Sequence, residues 1–158
     1  MPKDLRSFLE LAEKKLPGGV RRVRREVDPE YELCAILRKL QLRGEIPIVI
    51  FEKVKGSEMP LVVNVIADDP KLALTLEVAE RELLQTFVKR EANPIPPKEV
   101  KDGPVKERVF TGKDVDLYSL PITTQCEKDS GAFITVGVTV CRDPDTGAYN
   151  SGIYRQMR

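Results

Sequence analysis

Apolar positions at the start of the chain recur with helical spacing. Leu5, Phe8, Leu9, Ala12 and Leu16 fall on one face, Asp4 stands at the N-cap position, and Pro17-Gly18-Gly19 closes the helix. A basic, strand-like run follows, Val20-Arg21-Arg22-Val23-Arg24-Arg25. Asp28-Pro29-Glu30 has the form of a helix start: a cap, a proline at the first helical position and a carboxylate at the positive end of the dipole. Leu33, Ile36, Leu37 and Leu40 supply its apolar face and Gly44 ends it. Ile46 to Phe51 and Leu61 to Ile66 are short apolar runs with the spacing and length of buried strands. Asp69-Pro70 repeats the helix-start pattern, and Leu72, Ala73, Leu76, Ala79, Leu83, Leu84, Phe87 and Val88 continue on one helical face. These elements predict a mixed α/β layer over residues 1–92.

The pattern then changes. Residues 93–105 hold Pro94, Pro96, Pro97 and Pro104, which fix φ and remove donors, so this stretch reads as an extended connector and a domain boundary. Residues 106–158 read as β. Lys106 to Phe110 has the composition of a strand. From Phe133 to Cys141, Ile134, Val136, Val138 and Val140 alternate with Thr135 and Thr139. Asp143-Pro144-Asp145-Thr146-Gly147 is a turn, and Ala148 to Arg155 forms the returning strand. One hairpin buries too little to stand alone, so a domain continuing beyond Arg158 is expected. The fold class is therefore α+β.

Charge and composition narrow the function. The chain has 158 residues, is 41% hydrophobic and 32% charged, and carries a formal net charge of +1. That balance lacks the basic excess that supplies most nucleic-acid affinity. The six positive charges of Lys14, Lys15, Arg21, Arg22, Arg24 and Arg25 carry no interleaved aromatic residue and read as a solvated face. No run is long and apolar enough for a transmembrane helix, and the N-terminus has no apolar signal core, so the expected compartment is the cytoplasm. There is no histidine, which excludes a Ser-His-Asp triad or a His-ligated metal within these residues. Cys34, Cys126 and Cys141 form no CxxC pair and are expected to be reduced and mostly buried.

Three segments carry candidate chemistry. Asp114 and Asp116 precede a proline-bounded apolar segment, and Glu127 and Asp129 form a second acidic pair. Both fit turns and caps as well as acid–base roles. Asn150-Ser151-Gly152-Ile153-Tyr154-Arg155 combines an amide oxygen suited to a hard cation, a glycine and a guanidinium suited to a carboxylate or phosphate. A plain structural strand fits the same residues.

The run from Asp143 to Arg155 resembles the signature of the UbiD-type decarboxylases. Asp4 to Leu9, Glu26-Val27-Asp28-Pro29-Glu30, Phe51 to Gly56, Asp116-Leu117 with Leu120-Pro121, and Asp129-Ser130-Gly131 are similar to further motifs of that family, in its order. The resemblance implies non-oxidative removal of carbon dioxide from an unsaturated or aromatic acid. Polyprenyl-4-hydroxybenzoate and anhydromevalonate phosphate are the candidate substrates. It implies prenylated FMN as cofactor, supplied by a flavin prenyltransferase, with a divalent ion such as Mn2+ and K+ at the cofactor phosphate. It implies a split β-barrel after the α/β layer and a homo-oligomer. By the same resemblance Asn150 is a metal ligand, Ile153, Tyr154 and Arg155 line the flavin, and Arg155 meets the substrate carboxylate.

Two expectations qualify that reading. Asn150 and Arg155 lie five residues apart and face opposite ways in a regular strand, so a bulge is expected between them, with Gly152 its natural position. The family's remaining metal ligands, a histidine and a glutamate, and its proton-moving acids come later than these residues, so the 158-residue chain alone is expected to be inactive. The alternative is a non-catalytic flavin- or protein-binding module of the same fold.

Overall fold

The computed structural model describes residues 4–96, 98 and 100–158. Pro97 of the expected connector and the first three residues of the N-terminal reading lie outside them. The elements are α1 (Leu5–Lys15), β1 (Val20–Val27), α2 (Glu32–Gln41), β2 (Ile48–Val54), β3 (Leu61–Val63), α3 (Asp69–Leu76), α4 (Leu83–Glu91), β4 (Phe133–Arg142) and β5 (Tyr149–Met157). One sheet has the order β1-β2-β3 and a second pairs β4 with β5. The Ile48 amide donates to Gly19 O (2.8 Å) and the Lys55 amide to Val27 O (3.0 Å). Both bonds advance in the same direction, so β1 and β2 are parallel with α2 as their crossover. The helices and the sheet bear out a mixed α/β architecture.

The chain packs as two compact units that interleave along the sequence. The first comprises Met1–Arg22, Ile46–Ile50 and Val62–Asp116; the second comprises Val23–Glu45, Phe51–Leu61 and Leu117–Arg158. In the first, Asp4 caps α1 in a capping box with Ser7, and Ala12, Ile48, Val49, Ile50 and Ala73 are buried. Lys71 is buried with them, its ammonium donating to Ile46 O (2.6 Å) and to the Asp68 carboxylate. Asp68 also caps α3 by accepting from the Lys71 amide (3.1 Å). In the second unit Val27, Leu33, Phe51, Val54, Ile122 and Ala132 form the core.

Several boundaries differ from those the sequence predicts. Asp28-Pro29 does not open α2. The Tyr31 amide donates to Thr124 O (3.0 Å) and the Thr124 amide to Pro29 O (3.2 Å), so the backbone of residues 29–31 is tied to a distant segment. The helix starts at Glu32, after Tyr31 at φ 65°. The expected strand to Ile66 stops at Val63, because Asn64 turns the backbone to φ 59°. The expected long helix through Val88 is two helices. Glu77 takes φ 57° and closes α3, and a 3-10 turn at Glu80–Glu82 leads into α4.

Lys106 to Phe110 is not a strand. Gly103 and Pro104 open a 3-10 turn over Pro104–Lys106, the Lys106 amide donates to Gly103 O (2.9 Å), and Val109 and Phe110 are exposed. The expectation of mostly buried cysteines also fails: Cys34 is half-buried, while Cys126 lies on an exposed turn and Cys141 on the exposed hairpin.

Candidate functional site

Every residue singled out for chemistry in 150–155 lies on β5, which pairs antiparallel with β4 in the second unit. The alternation of Ile134, Thr135, Val136, Gly137 and Val138 makes β4 an extended partner, and the turn fixes the pairing. Asp143 Oδ1 accepts from the amides of Asp145 and Thr146, both at 2.8 Å, and Gly147 supplies the positive φ of 73°. Those amide donors, Thr146 first, hold the Asp143 carboxyl below its ordinary pKa. The Arg142 guanidinium lies 5.5 Å from the Tyr149 ring centroid and its Nε donates to Gly147 O (3.3 Å), bracing the same turn.

The ladder runs without interruption from Arg142↔Tyr149 through Cys141↔Asn150 and Thr139↔Gly152 to Gly137↔Tyr154. It then shifts to Ile134↔Gln156, so Thr135 and Val136 oppose the single residue Arg155. The expected bulge at Gly152 is thus absent, and the irregularity stands at Arg155 with its extra residue on β4. Alternation therefore puts Asn150, Gly152 and Tyr154 on one face and Ile153 and Arg155 on the other. The structure does not bring Asn150 and Arg155 to one face.

Each face has its own character. On the first, the Tyr154 ring folds over Gly152 so closely that a Cβ there would lie 2.6 Å from a ring carbon. On that face Gln156 Nε2 donates to Thr139 Oγ1 (3.0 Å). On the second, Val138, Val140 and Ile153 form an exposed apolar strip, and the Arg155 guanidinium sits 4.6 Å from the Phe133 ring centroid. A flat, partly apolar group with an anionic end matches that second face: a strip to lie on and a fixed cation at its end. Sequence reasoning missed Phe133, because its meeting with Arg155 depends on the register shift between the strands.

Around the hairpin, the second unit gathers most of the quoted motifs. Lys55 Nζ lies 2.8 Å from Asp28 Oδ2, joining two of them. Ser57 Oγ donates to Ser119 O (2.7 Å), tying in the Leu117–Ser119 turn. The Arg158 amide donates to Ala132 O (2.9 Å) and its guanidinium lies 4.6 Å from the Tyr118 ring. Of the two acidic pairs, Asp129 is committed to a turn, its Oδ2 accepting from the Cys126 amide (3.0 Å), and Asp114 ends the 3-10 turn Gly112–Asp114. Neither Asp114 nor Asp116 belongs to the hairpin. A separate groove in the first unit, lined by Leu5, Phe8, Leu11, Val65 and Leu74, contains none of these residues.

As a metal centre the described residues are incomplete. Among them no three His, Cys, Asp or Glu side chains lie together. Asn150 offers one hard amide oxygen, which fits one position of a divalent ion's coordination shell and cannot hold an ion alone.

Comparison with known proteins defines the class. Residues 11–91 match the family model of the 3-octaprenyl-4-hydroxybenzoate carboxy-lyase N-terminal domain, and residues 98–158 match its Rift-related domain. The chain belongs to the UbiD family of carboxy-lyases. Among solved structures it is similar to the UbiD-class enzyme HmfF of Pelotomaculum thermopropionicum in complex with FMN, at 35% identity and TM-score 0.85 over 96% of this chain and 33% of that one. An evolved dimeric form of HmfF with prenylated FMN gives 34% identity and TM-score 0.87 over 98% of this chain and 35% of that one. The 3,4-dihydroxybenzoic acid decarboxylase of Enterobacter cloacae gives 28% identity and TM-score 0.88 over 98% of this chain and 34% of that one. The chain spans about a third of the length of these relatives. Among the described residues no helix is long and apolar enough to cross a membrane.

Proposed function

We propose that this chain is the N-terminal third of a prenylated-FMN-dependent decarboxylase acting on an aromatic or α,β-unsaturated carboxylic acid. The observation that carries this reading is the likeness to HmfF bound to FMN and to prenylated FMN over nearly the whole chain, alongside the family match over residues 98–158 that contains Asp143–Arg155. In this reading residues 1–92 are the α/β domain, 93–105 the connector, and 106–158 the beginning of a split β-barrel that carries the flavin. The protein acts in the cytoplasm as a homo-oligomer, with a flavin prenyltransferase as cofactor supplier.

The residue types present suit their part of this task, with Asn150 and Arg155 acting at different edges of the site. When bound, the prenylated flavin supplies the electron sink that decarboxylation needs and side chains lack. In this reading Ile153, on the exposed strip it forms with Val138 and Val140, and Tyr154, on the opposite face of β5, would line it from different edges of the strand. Arg155 orients the substrate carboxylate in bidentate fashion, and as a permanent cation it keeps that carboxylate ionised. Phe133 fixes the guanidinium plane. Asn150 would give its amide oxygen to a divalent ion, Mn2+ in this proposal, and that ion with K+ would serve the cofactor phosphate. Polyprenyl-4-hydroxybenzoate and anhydromevalonate phosphate are both consistent with this chemistry, as are simple hydroxybenzoic acids like the substrate named for the Enterobacter enzyme.

The test is to produce the complete protein with and without a flavin prenyltransferase. Flavin content is read by absorbance and mass, and carbon dioxide release by assay against these acids. Prenylated flavin bound only in the co-producing cells, with release from at least one acid, is the expected result. A protein that binds flavin and releases nothing from any acid would favour the non-catalytic module.

A further inference from the structure

Helix α4 keeps its large apolar side chains on its outer face. Leu84, Phe87 and Val88, at i, i+3 and i+4, are 74%, 54% and 53% exposed. Leu83 and Thr86 are half-buried instead, and Arg90 Nη2 donates to Leu76 O at the end of α3 (3.0 Å), so the packed side of the helix is 83, 86 and 90. Apolar positions on a surface helix ordinarily face the core. A stripe turned the other way marks a contact surface. Charge frames this stripe symmetrically. Arg81 stands three residues before Leu84, and Glu91 three residues after Val88. Both are exposed, and among the described residues neither has an ion-pair partner.

We propose that the outer face of α4 is a two-fold contact between copies of this chain, with the two helices antiparallel. Positions 81 and 91, and likewise 84 and 88, are equidistant from Thr86. A second copy laid antiparallel about that midpoint sets Leu84 against Val88 of the partner copy and Arg81 against Glu91 of the partner copy. The contact is isologous, so each pairing occurs twice. A parallel copy would instead set Arg81 against Arg81 and Glu91 against Glu91, so the charges select the antiparallel arrangement. The opposed helix dipoles favour it as well. The helix has nine residues and is about 14 Å long. A contact that short buries less than the roughly 1,200 Å² that holds a specific dimer. It therefore works together with contacts elsewhere in the complete protein. The surface deepens the homo-oligomer of the proposed function, and mass decides it whether or not the protein binds flavin or releases carbon dioxide.

The experiment produces the complete protein as wild type, Arg81→Glu, Glu91→Arg and the double reversal, and follows its mass on dilution by sedimentation. Each single reversal sets like charges against each other at both pairings and should weaken self-association about tenfold. The double reversal restores opposite charges and should return the wild-type dissociation constant. An equimolar mixture of the two single variants should also restore it, because every pairing in a mixed assembly then sets an acid against a base. A monomeric wild type, single reversals that dissociate as the wild type does, or a loss that neither the double reversal nor the mixture recovers would overturn the proposal. So would Phe87→Glu with unchanged mass and a lowered Tm, which would show the stripe covered by the same chain. The reversals lie at exposed positions, so they test the contact even if Phe87→Glu fails to fold.

Discussion

Lys55 Nζ lies 2.8 Å from Asp28 Oδ2, across 27 positions of sequence. The pair joins the end of β2 to the turn that precedes α2, beside the backbone bond from the Lys55 amide to Val27 O. The hydrogen bond from Lys55 holds the Asp28 carboxyl below its ordinary pKa, and the same bond raises the Lys55 ammonium. A lowered carboxyl stabilises the fold above its unfolded pKa and loses that effect as pH falls through its folded one. A raised ammonium stabilises below its unfolded pKa and loses the effect as pH rises through its folded one. The pair therefore supports the fold across neutral pH and fails at both extremes. Lys55→Met is expected to move the Asp28 titration up towards the ordinary carboxylate range, read by carbon NMR of the carboxyl. Because both groups reach solvent, added salt should shrink the difference. An unmoved Asp28 titration would contradict the pairing.

The buried Lys71 makes a larger prediction. Asp68→Ala removes both its counter-ion and the cap of α3, leaving an ammonium that is 3% exposed with only a carbonyl. A cost of about 3–5 kcal/mol is expected. Asp68→Ala with Lys71→Met should recover most of it, leaving about 1 kcal/mol for the lost cap. Urea unfolding of the single and double variants measures this, and a double variant as unstable as Asp68→Ala would show that the buried charge is not the cause.

Phe133 and Arg155 can be tested as a pair. Phe133→Leu keeps an apolar side chain and removes the ring, so the coupling to Arg155 should fall by about 0.5–1 kcal/mol. A double-mutant cycle with Arg155→Met isolates that term from the burial of Phe133. Additive effects would mean that the guanidinium does not rest on the ring.

Gly152 carries a steric prediction. A Cβ there would meet ring atoms of Tyr154, the mobile end of a side chain, at 2.6 Å. Gly152→Ala should therefore swing the ring aside with little change in stability. The expected readout is loss of the ring-current shift at the residue 152 α-proton, with β4–β5 amide protection retained. A retained shift would place the ring elsewhere.

The readable part of this protein was what depends on local chemistry. The capping box of Asp4 and Ser7, the apolar run of β2, the alternation of β4 and the Asp143–Gly147 turn all follow from side chains a few positions apart. The departures come from distant partners. The Thr124 backbone takes the Tyr31 amide and delays α2, and the extra β4 residue opposite Arg155 puts the irregularity beyond Gly152. Glu77 at φ 57° breaks a helix that apolar spacing alone would continue. At the site, Asn150 and Arg155 were legible as residue types, while the ring under Arg155 was not, since Phe133 meets it only through strand register.

The role of Asn150 is the most direct test of the account. The complete protein and its Asn150→Ala variant are produced with a flavin prenyltransferase, and metal and flavin are counted per chain. The account predicts bound divalent metal and prenylated flavin in the wild type, and loss of most of the metal, with weakened flavin retention, in Asn150→Ala. Equal metal and flavin in the two proteins would contradict the placement of the cofactor phosphate at this strand.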